Sequence, residues 1–140
     1  MIHVLIVDDH AVMRELLRQV AGRYPDLAIV AEAATGEEAV SQAIRFQPAV
    51  AVIDIHLPTM SGIEATKLIK LQSPFTSVIG LTGGEGDPSE KAMLYAGATT
   101  VLNKADVVNG LYASIIDALR SLKAAGDVIR PAHQRLVKRP

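Results

Sequence analysis

Five polar side chains with distinct chemical capacities follow short apolar runs in this 140-residue sequence. Carboxylates supply the oxygen ligands that hard divalent cations prefer. A lysine ammonium beside a hydroxyl suits an anion that carries several oxygens. If these side chains meet in the folded chain, they form a cation site next to an anion site. The five residues are Asp8, Asp9, Asp54, Thr82 and Lys104.

Asp54 indicates where such a meeting would take place. It ends an apolar run, residues 49–53, that lies between Pro48 and Pro58. A short apolar run with these boundaries predicts a strand that is buried on both faces. In open α/β sheets, ligands bind at the carboxyl ends of the parallel strands. The sequence therefore predicts that Asp54 lies at the ligand-binding edge of a sheet.

Simpler structural roles also fit some of these residues when each is taken alone. Asp8 and Asp9 could cap the helix that follows them, since acidic residues stabilise helix N-termini. Asp54 could form a turn before Pro58, and Lys104 could be a surface lysine. The combination at successive strand ends is what favours a functional site.

The segments that must position these residues alternate between strand-like and helix-like patterns. Five such alternations predict parallel βα units in a single α/β domain. Thr35 and Glu38 form a capping-box pattern before the second helix. The predicted strands are residues 2–7, 27–31, 49–54, 77–81 and 99–102, and the predicted helices are residues 10–23, 36–46, 63–71, 89–96 and a last helix from 106. The predicted buried face of the first helix consists of Val12, Leu16, Leu17 and Val20.

Composition excludes several other classes of protein. Hydrophobic residues make up 49% of the chain, which is too many for a disordered one. The absence of cysteine excludes disulfides and thiolate metal sites. A formal net charge of -1 gives no overall attraction to nucleic acid. We expect no secretory signal, because Met1 leads directly into the first strand without a basic n-region and an apolar h-region. We expect no membrane span, because no apolar run approaches about 18 residues.

The end of the sequence differs from the rest. Residues 125–140 are rich in Arg and Lys, include two prolines and show no sustained periodicity. This pattern predicts a solvated basic tail or linker after a folded domain at residues 1–124. The alternative is the start of a tether to an output domain.

Four short motifs of the sequence together resemble those of the receiver domains of bacterial two-component response regulators. They are VDDH at 7–10, DIHLPTMSGIEA at 54–65, LTG at 81–83 and AGATTVLNK at 96–104. These motifs are most similar to those of regulators whose output is a helix-turn-helix DNA-binding domain. The resemblance implies a flavodoxin-like, doubly wound sheet of five parallel strands in the order 2-1-3-4-5.

The resemblance also implies a role for each site residue. Asp54 matches the phosphoacceptor, which takes a phosphoryl group from the phosphohistidine of a sensor histidine kinase. Lys104 matches the lysine that pairs with the phosphoryl oxygens, and Thr82 matches the hydroxyl that reorients toward them. The implied cofactor is Mg²⁺, and its matching ligands are Asp8, Asp9, Asp54 and the backbone carbonyl of His56.

Partners follow from the same resemblance. Besides the kinase, we expect a second copy of the chain or an output domain beyond residue 140. Either would bind the surface of the fourth helix, fifth strand and fifth helix, or that of the first and fifth helices. We expect no direct binding of nucleic acid by this chain, no membrane association, no turnover of an external substrate and a cytoplasmic location.

The sequence departs from the family pattern at three positions near the site. Ala105 stands where many receivers have a cis proline after the lysine, so we expect either a trans bond or a strained cis bond there. Val101 occupies the position of the usual switch aromatic, and Gly83 that of an alanine. These changes concern the signalling step more than the phosphorylation step.

Three other functions compete with this interpretation. A phosphorylation-independent pseudo-receiver, acting as an interaction module, would fit Val101 and Ala105. A phosphatase that forms an aspartyl-phosphate would need an acid two residues after Asp54, where His56 stands. A flavin-binding domain would need a phosphate loop after the first strand, where Asp8 and Asp9 would repel a phosphate.

Overall fold

Every strand in the described part of the chain runs parallel to its neighbours. The computed structural model describes the backbone of residues 1–129 and the side chains of residues 1–121. In this part, five strands form one sheet in the order β2-β1-β3-β4-β5, which confirms the predicted flavodoxin-like topology. The strands are β1 (Ile2–Val7), β2 (Leu27–Ala33), β3 (Val50–Asp54), β4 (Ser77–Thr82) and β5 (Thr100–Asn103).

Helices cover both faces of this sheet. The two hydrophobic clusters show the division: α1 and α5 pack on one face, and α2, α3 and α4 on the other. Because β3 lies at the centre, all five of its residues are buried, as an apolar run without alternation predicts. The helices are α1 (Ala11–Ala21), α2 (Gly36–Phe46), α3 (Gly62–Gln72), α4 (Ser89–Ala96) and α5 (Val107–Ile129), with a 3₁₀ turn at Lys104–Asp106.

Side-chain caps explain where two of the helices begin. The predicted Thr35 cap is confirmed, since its hydroxyl accepts a hydrogen bond of 3.1 Å from the Glu38 N–H. Ser61 caps α3 in the same way, accepting from the Glu64 N–H at 3.2 Å. The second cap fixes the turn that follows β3, and therefore the surroundings of Asp54.

The first helix corrects two expectations. Val12 is 84% exposed, whereas Leu17 and Val20 are buried, so the predicted buried face was wrong at Val12. Met13 packs against the core instead, because its position lies at the middle of the helical face that Leu17 and Val20 define. The proposal that acids cap α1 was also wrong. His10 is the N-cap residue, without a side-chain cap, and the first turn has no acidic residue.

The last helix is long. It continues to Ile129, through the first residues of the segment that the sequence predicts to be a tail. Residues 130–140, the rest of that predicted tail, lie outside the described residues. Among residues 1–129, no helix has both the length and the apolar character of a membrane-spanning segment.

Candidate functional site

Two buried carboxylates lie side by side at the carboxyl end of the sheet. Asp8 directly follows β1, and Asp54 is the last residue of the neighbouring strand β3. The strand register pairs Val7 with Ile53, so the two acids leave the sheet at the same level. Their relative exposures are 0% for Asp8 and 3% for Asp54. One carboxylate oxygen of each lies within 4.8 Å of the other, and a cation stabilises two buried carboxylates at this distance.

Lys104 supplies one positive charge between them. Its Nζ atom lies 2.9 Å from Asp8 Oδ2 and 3.0 Å from Asp54 Oδ2. Only the contact with Asp54 is aligned as a hydrogen bond, so the buried Oδ2 atom of Asp8 accepts none. The described residues contain no cis peptide bond, so the bond from Lys104 to Ala105 is trans, the first of the two alternatives expected there.

Backbone donors hold the other oxygen of each acid. The His10 N–H donates to Asp8 Oδ1 at 2.9 Å, and the His56 N–H donates to Asp54 Oδ1 at 3.0 Å. The Arg14 guanidinium also donates to the Asp8 carbonyl at 2.7 Å. These contacts aim the remaining carboxylate oxygens, both Oδ2, at Lys104.

Gly62 lets the turn after β3 close tightly on this site. Its N–H donates to the Ile55 carbonyl at 2.8 Å. A Cβ atom at this position would lie 2.2 Å from the Asp54 carbonyl oxygen and 2.8 Å from Ile55 Cα. Any side chain would therefore displace the end of β3, and the turn requires glycine for its close approach.

Burial and pairing act in opposite directions on the pKa values of Asp54 and Lys104. Burial raises the pKa of the Asp54 carboxyl, and hydrogen bonds from Lys104 and the His56 N–H offset only part of that rise. Burial lowers the pKa of the Lys104 ammonium, but its contacts with Asp8 and Asp54 outweigh burial and leave the pKa raised. Pairing alone would lower the pKa of Asp54. Burial prevails over this pairing, and the nearby Asp8 carboxylate adds a smaller effect in the same direction.

Further ligand atoms surround these acids at the protein surface. Asp8, Asp9, His10 and Asp54 each place one ligand atom within 4.8 Å of the others. The His10 Nδ1 atom lies 3.2 Å from oxygens of both Asp8 and Asp9. The buried Asp8 Oδ2 atom accepts no aligned hydrogen bond and contacts the Lys104 ammonium at 2.9 Å, so it has room for a further cation contact. These oxygen donors fit a hard divalent cation.

Thr82 lies at the same edge but is turned toward its own loop. Its hydroxyl is 3.2 Å from the Gly84 carbonyl and 3.2 Å from Asp87 Oδ2. Asp87 Oδ2 is also 2.6 Å from the Nε2 atom of His56, whose side chain is 59% exposed. The structure thus brings four of the predicted side chains together, whereas Thr82 joins a second group of polar contacts.

Sequence reasoning missed three residues of this region. The contacts of Asp87 depend on the path of the glycine-rich loop, which no periodicity predicts. The proximity of His10 to both acids could have been expected from its position directly after them. Gly62 could have been found from the need for a tight turn after a buried strand.

The fold and the site define a doubly wound α/β domain with a charged ligand site at the carboxyl ends of its central strands. The family model described as the response regulator receiver domain matches residues 4–115. The chain therefore belongs to the family of response regulator receiver domains.

Several relatives illustrate the range of this family. The chain is 40% identical over 106 residues to a protein-glutamate methylesterase/protein-glutamine glutaminase of Nitrosospira multiformis, covering 73% of this chain and 29% of the relative. It is 32% identical over 131 residues to the response regulator GacA of Pseudomonas protegens, covering 94% and 60%.

A solved structure agrees with this assignment. The response regulator domain of Thermotoga maritima CheB matches with a TM-score of 0.80 and 34% identity, covering 86% of this chain and 97% of that domain. The chain spans less than two thirds of the length of the two curated relatives described above. The similarity therefore concerns their receiver domains.

Proposed function

We propose that the chain is a phosphoacceptor receiver, in which Asp54 takes a phosphoryl group from the phosphohistidine of a sensor histidine kinase. The observation that carries this proposal is the buried pair of Asp8 and Asp54 with one ammonium, that of Lys104, between them. Two buried carboxylates and one cation leave a deficit of positive charge. A site with that deficit favours a divalent cation and, once the cation is bound, an added phosphoryl group.

Asp54 acts as the nucleophile in this reaction. One of its carboxylate oxygens forms a bond to phosphorus while the bond between phosphorus and the kinase imidazole nitrogen breaks. Mg²⁺, held by Asp8, Asp9, Asp54 and the His56 backbone carbonyl, would offset the repulsion between the two anions and stabilise the charge on the transferred oxygens. The His56 N–H keeps the nucleophile oriented through Asp54 Oδ1.

Lys104 and Thr82 then respond to the new charge. A phosphoryl group carries about two negative charges and three acceptor oxygens. Lys104 already lies 3.0 Å from Asp54 Oδ2, so its ammonium can pair with a phosphoryl oxygen after a small movement. Thr82 would turn its hydroxyl from its loop toward another phosphoryl oxygen. The loop after β4 would move with it.

The surface that changes would be the one formed by α4, β5 and α5. Leu94 and Tyr95 of α4 and Val108 of α5 are exposed apolar residues, and Tyr95 is 95% exposed. Exposed apolar side chains near a moving helix support a partner-binding role. The partner would be a second copy of the chain or an output domain.

We further propose residues 1–124 as the receiver unit and residues 125–140 as a basic tail or linker toward an output domain. The sequence resemblance favours a helix-turn-helix DNA-binding output. By itself the chain would neither bind DNA nor turn over an external substrate, and it would exchange phosphoryl groups with its kinase in the cytoplasm.

Phosphorylation with acetyl phosphate tests this proposal. The full chain is incubated with acetyl phosphate and Mg²⁺, and its mass is measured intact. We expect the mass to increase by one phosphoryl group in the wild type and not at all in Asp54→Asn. The loss should be complete, because the amide cannot replace the carboxylate as nucleophile.

Asp117→Asn is the matched control, since Asp117 is an exposed aspartate of α5 remote in sequence from the site. It should be phosphorylated like the wild type. Phosphorylation of Asp54→Asn would contradict the assignment of the acceptor. No phosphorylation of the wild type would instead favour a phosphorylation-independent interaction module.

A further inference from the structure

The carboxylate of Asp87 connects three elements of the molecule. Its Oδ2 atom lies 3.2 Å from the Thr82 hydroxyl and 2.6 Å from His56 Nε2. Its Oδ1 atom accepts a hydrogen bond of 2.9 Å from the backbone N–H of Ser89, the first residue of α4. One side chain therefore joins the end of β4 and the turn after β3 to the start of a helix.

While Thr82 keeps its present contacts, it cannot donate a hydrogen bond to a phosphoryl group on Asp54. A threonine hydroxyl has one hydrogen to donate. Both acceptors within reach, the Gly84 carbonyl and Asp87 Oδ2, lie on the loop after β4. The same hydrogen cannot also bind a phosphoryl oxygen on Asp54. Thr82 must therefore release these loop acceptors before it can respond to phosphorylation.

We propose that Asp87 is a positioning residue that holds the unphosphorylated conformation through its contacts with Thr82, His56 and Ser89, here called the Asp87 latch. When the contact with Thr82 breaks, the start of α4 moves. This inference rests on the proposed function, because it assigns the regulation of the same site. A phosphoryl group on Asp54 and the carboxylate of Asp87 compete for the hydroxyl of Thr82.

The connection to α4 is direct. Besides the Oδ1 contact, the Asp87 carbonyl accepts a hydrogen bond of 3.0 Å from the Glu90 N–H. Two hydrogen bonds of the first turn of α4 thus end on Asp87. When Oδ2 loses Thr82, the residue is free to shift, and the start of α4 shifts with it. Leu94 and Tyr95 lie on this same helix.

The contact between the sheet and α4 near Val101 is apolar. Val101 packs against the core on the side of α4. A Cβ atom built on Gly80 would lie 3.3 Å from Val101 Cγ2 and 2.9 Å from Met93 Cγ. Val101 thus lies beside Gly80 and Met93 in packed surroundings. The Asp87 latch offers a polar route from Thr82 to α4 at the surface.

His56 links the Asp87 latch to the proposed acceptor. Its Nε2 atom lies 2.6 Å from Asp87 Oδ2, and its backbone N–H donates to Asp54 Oδ1 at 3.0 Å. The latch is therefore attached to the residue that orients Asp54.

Asp87→Asn separates this role from simple helix capping. Its amide oxygen can still accept from the Ser89 N–H, as aspartate and asparagine both cap helices. The variant loses the carboxylate oxygen that accepts from Thr82 and His56. Glu85→Gln is the matched control, because it removes one carboxylate from the same loop at an exposed residue.

The experiment compares amide NMR spectra of the full chain, wild type and both variants, with and without acetyl phosphate and Mg²⁺. We expect the α4 amides of unphosphorylated Asp87→Asn to move part of the way toward their positions in the phosphorylated wild type. Its rate of phosphorylation should rise about two- to tenfold, which corresponds to the loss of one hydrogen bond to a positioned group. Glu85→Gln should match the wild type in both respects.

Two results would overturn the latch: α4 amides that stay in place in Asp87→Asn, or equal changes in Glu85→Gln. Either result combined with normal phosphorylation of the wild type leaves the proposed function intact. Failure of the wild type to be phosphorylated would refute the proposed function and the signalling role of the latch together. In that case, faster amide hydrogen exchange at Glu90 in Asp87→Asn alone would show that the contact to α4 is structural.

Discussion

Two clusters of buried polar groups lie at opposite ends of the sheet, and they differ in charge. The carboxyl-end cluster consists of Asp8, Asp54 and Lys104, all charged. The amino-end cluster consists of the buried hydroxyls of Ser73 and Thr76 and the exposed amide of Gln47, all neutral, where the ends of α2 and α3 approach β4.

The amino-end cluster is satisfied internally. The Ser73 and Thr76 hydroxyls lie 2.6 Å apart. Thr76 donates to the Pro48 carbonyl at 2.7 Å, which leaves the single Ser73 hydrogen to donate to Thr76 Oγ1 or to Gln47 Oε1, 3.0 Å away. A buried network whose members all have partners fixes one conformation and needs no ligand.

Among residues 1–121, Lys70 and Lys104 are the partly buried lysines, and they show the same contrast. Lys70 donates to the backbone carbonyls of Pro74 and Thr76, at 2.9 and 2.8 Å, and burial lowers its pKa. Lys104 faces two carboxylates, which raise its pKa despite burial. Lys70 ties a loop together with neutral partners, whereas Lys104 shares its charge between two acids. The comparison shows that the carboxyl end of the sheet, where we place the functional site, is distinguished by unbalanced charge. Burial of polar groups alone does not distinguish it, because the amino end has that too.

The largest change expected in stability concerns the amino-end cluster. Thr76→Val keeps the shape of the side chain but removes the hydroxyl that contacts Pro48 and Ser73. Because the buried Pro48 carbonyl loses its donor and the Ser73 hydroxyl loses an acceptor, the free energy of unfolding should fall by about 1–3 kcal/mol. Urea unfolding measures this value.

The rate of phosphorylation should also distinguish the two clusters. Thr76→Val should be phosphorylated by acetyl phosphate at the wild-type rate, since its contacts lie at the far end of the sheet. A changed phosphorylation rate would mean that the two ends are coupled. Unchanged stability would mean that the hydroxyl network contributes nothing to the fold.

A smaller change of opposite sign is expected for the carboxyl end. The pKa of Asp54 is raised in the folded state, so the folded state binds its proton more tightly than the unfolded state does. This contribution to stability is fully present below the unfolded-state pKa of about 4 and is lost as the pH rises through the folded-state pKa. At pH 7 without Mg²⁺, the ionised Asp54 therefore lowers stability.

Asp54→Asn should remove that cost and raise the free energy of unfolding at pH 7 by on the order of 1 kcal/mol. The gain should shrink as the pH falls through the raised folded-state pKa and should be absent below about 4, where the wild-type carboxyl is protonated in both states. Urea unfolding at several pH values measures it, with Asp117→Asn as the control that should show no gain. A gain that is independent of pH would contradict the charge argument.

The sequence predicted the end that carries unbalanced charge better than the details around it. Apolar runs determined the five strands, and parallel topology brings the ends of such strands to one edge, so Asp8, Asp54 and Lys104 could be expected to meet. Each of them directly follows or ends a strand, and no loop conformation is needed to place them.

Other features depend on geometry that local patterns do not contain. The path of residues 83–88 decides that Asp87 reaches Thr82, and three glycines leave that path open to many conformations. Val12 satisfies a helical spacing but lies at the margin of the buried face, so only packing reveals its exposure. The amino-end network went unnoticed because serine, threonine and glutamine near prolines predict only a loop.

The dependence of stability on Mg²⁺ tests most directly the claim that the carboxyl end lacks positive charge. Thermal unfolding of the wild type, Asp9→Asn and Asp117→Asn is followed as Mg²⁺ is increased at constant ionic strength. Binding to the folded state should raise the Tm of the wild type and of Asp117→Asn, with an increase that grows with the logarithm of Mg²⁺ concentration above the Kd. The increase should be much smaller in Asp9→Asn. No increase in the wild type, or the same increase in all three proteins, would contradict the account.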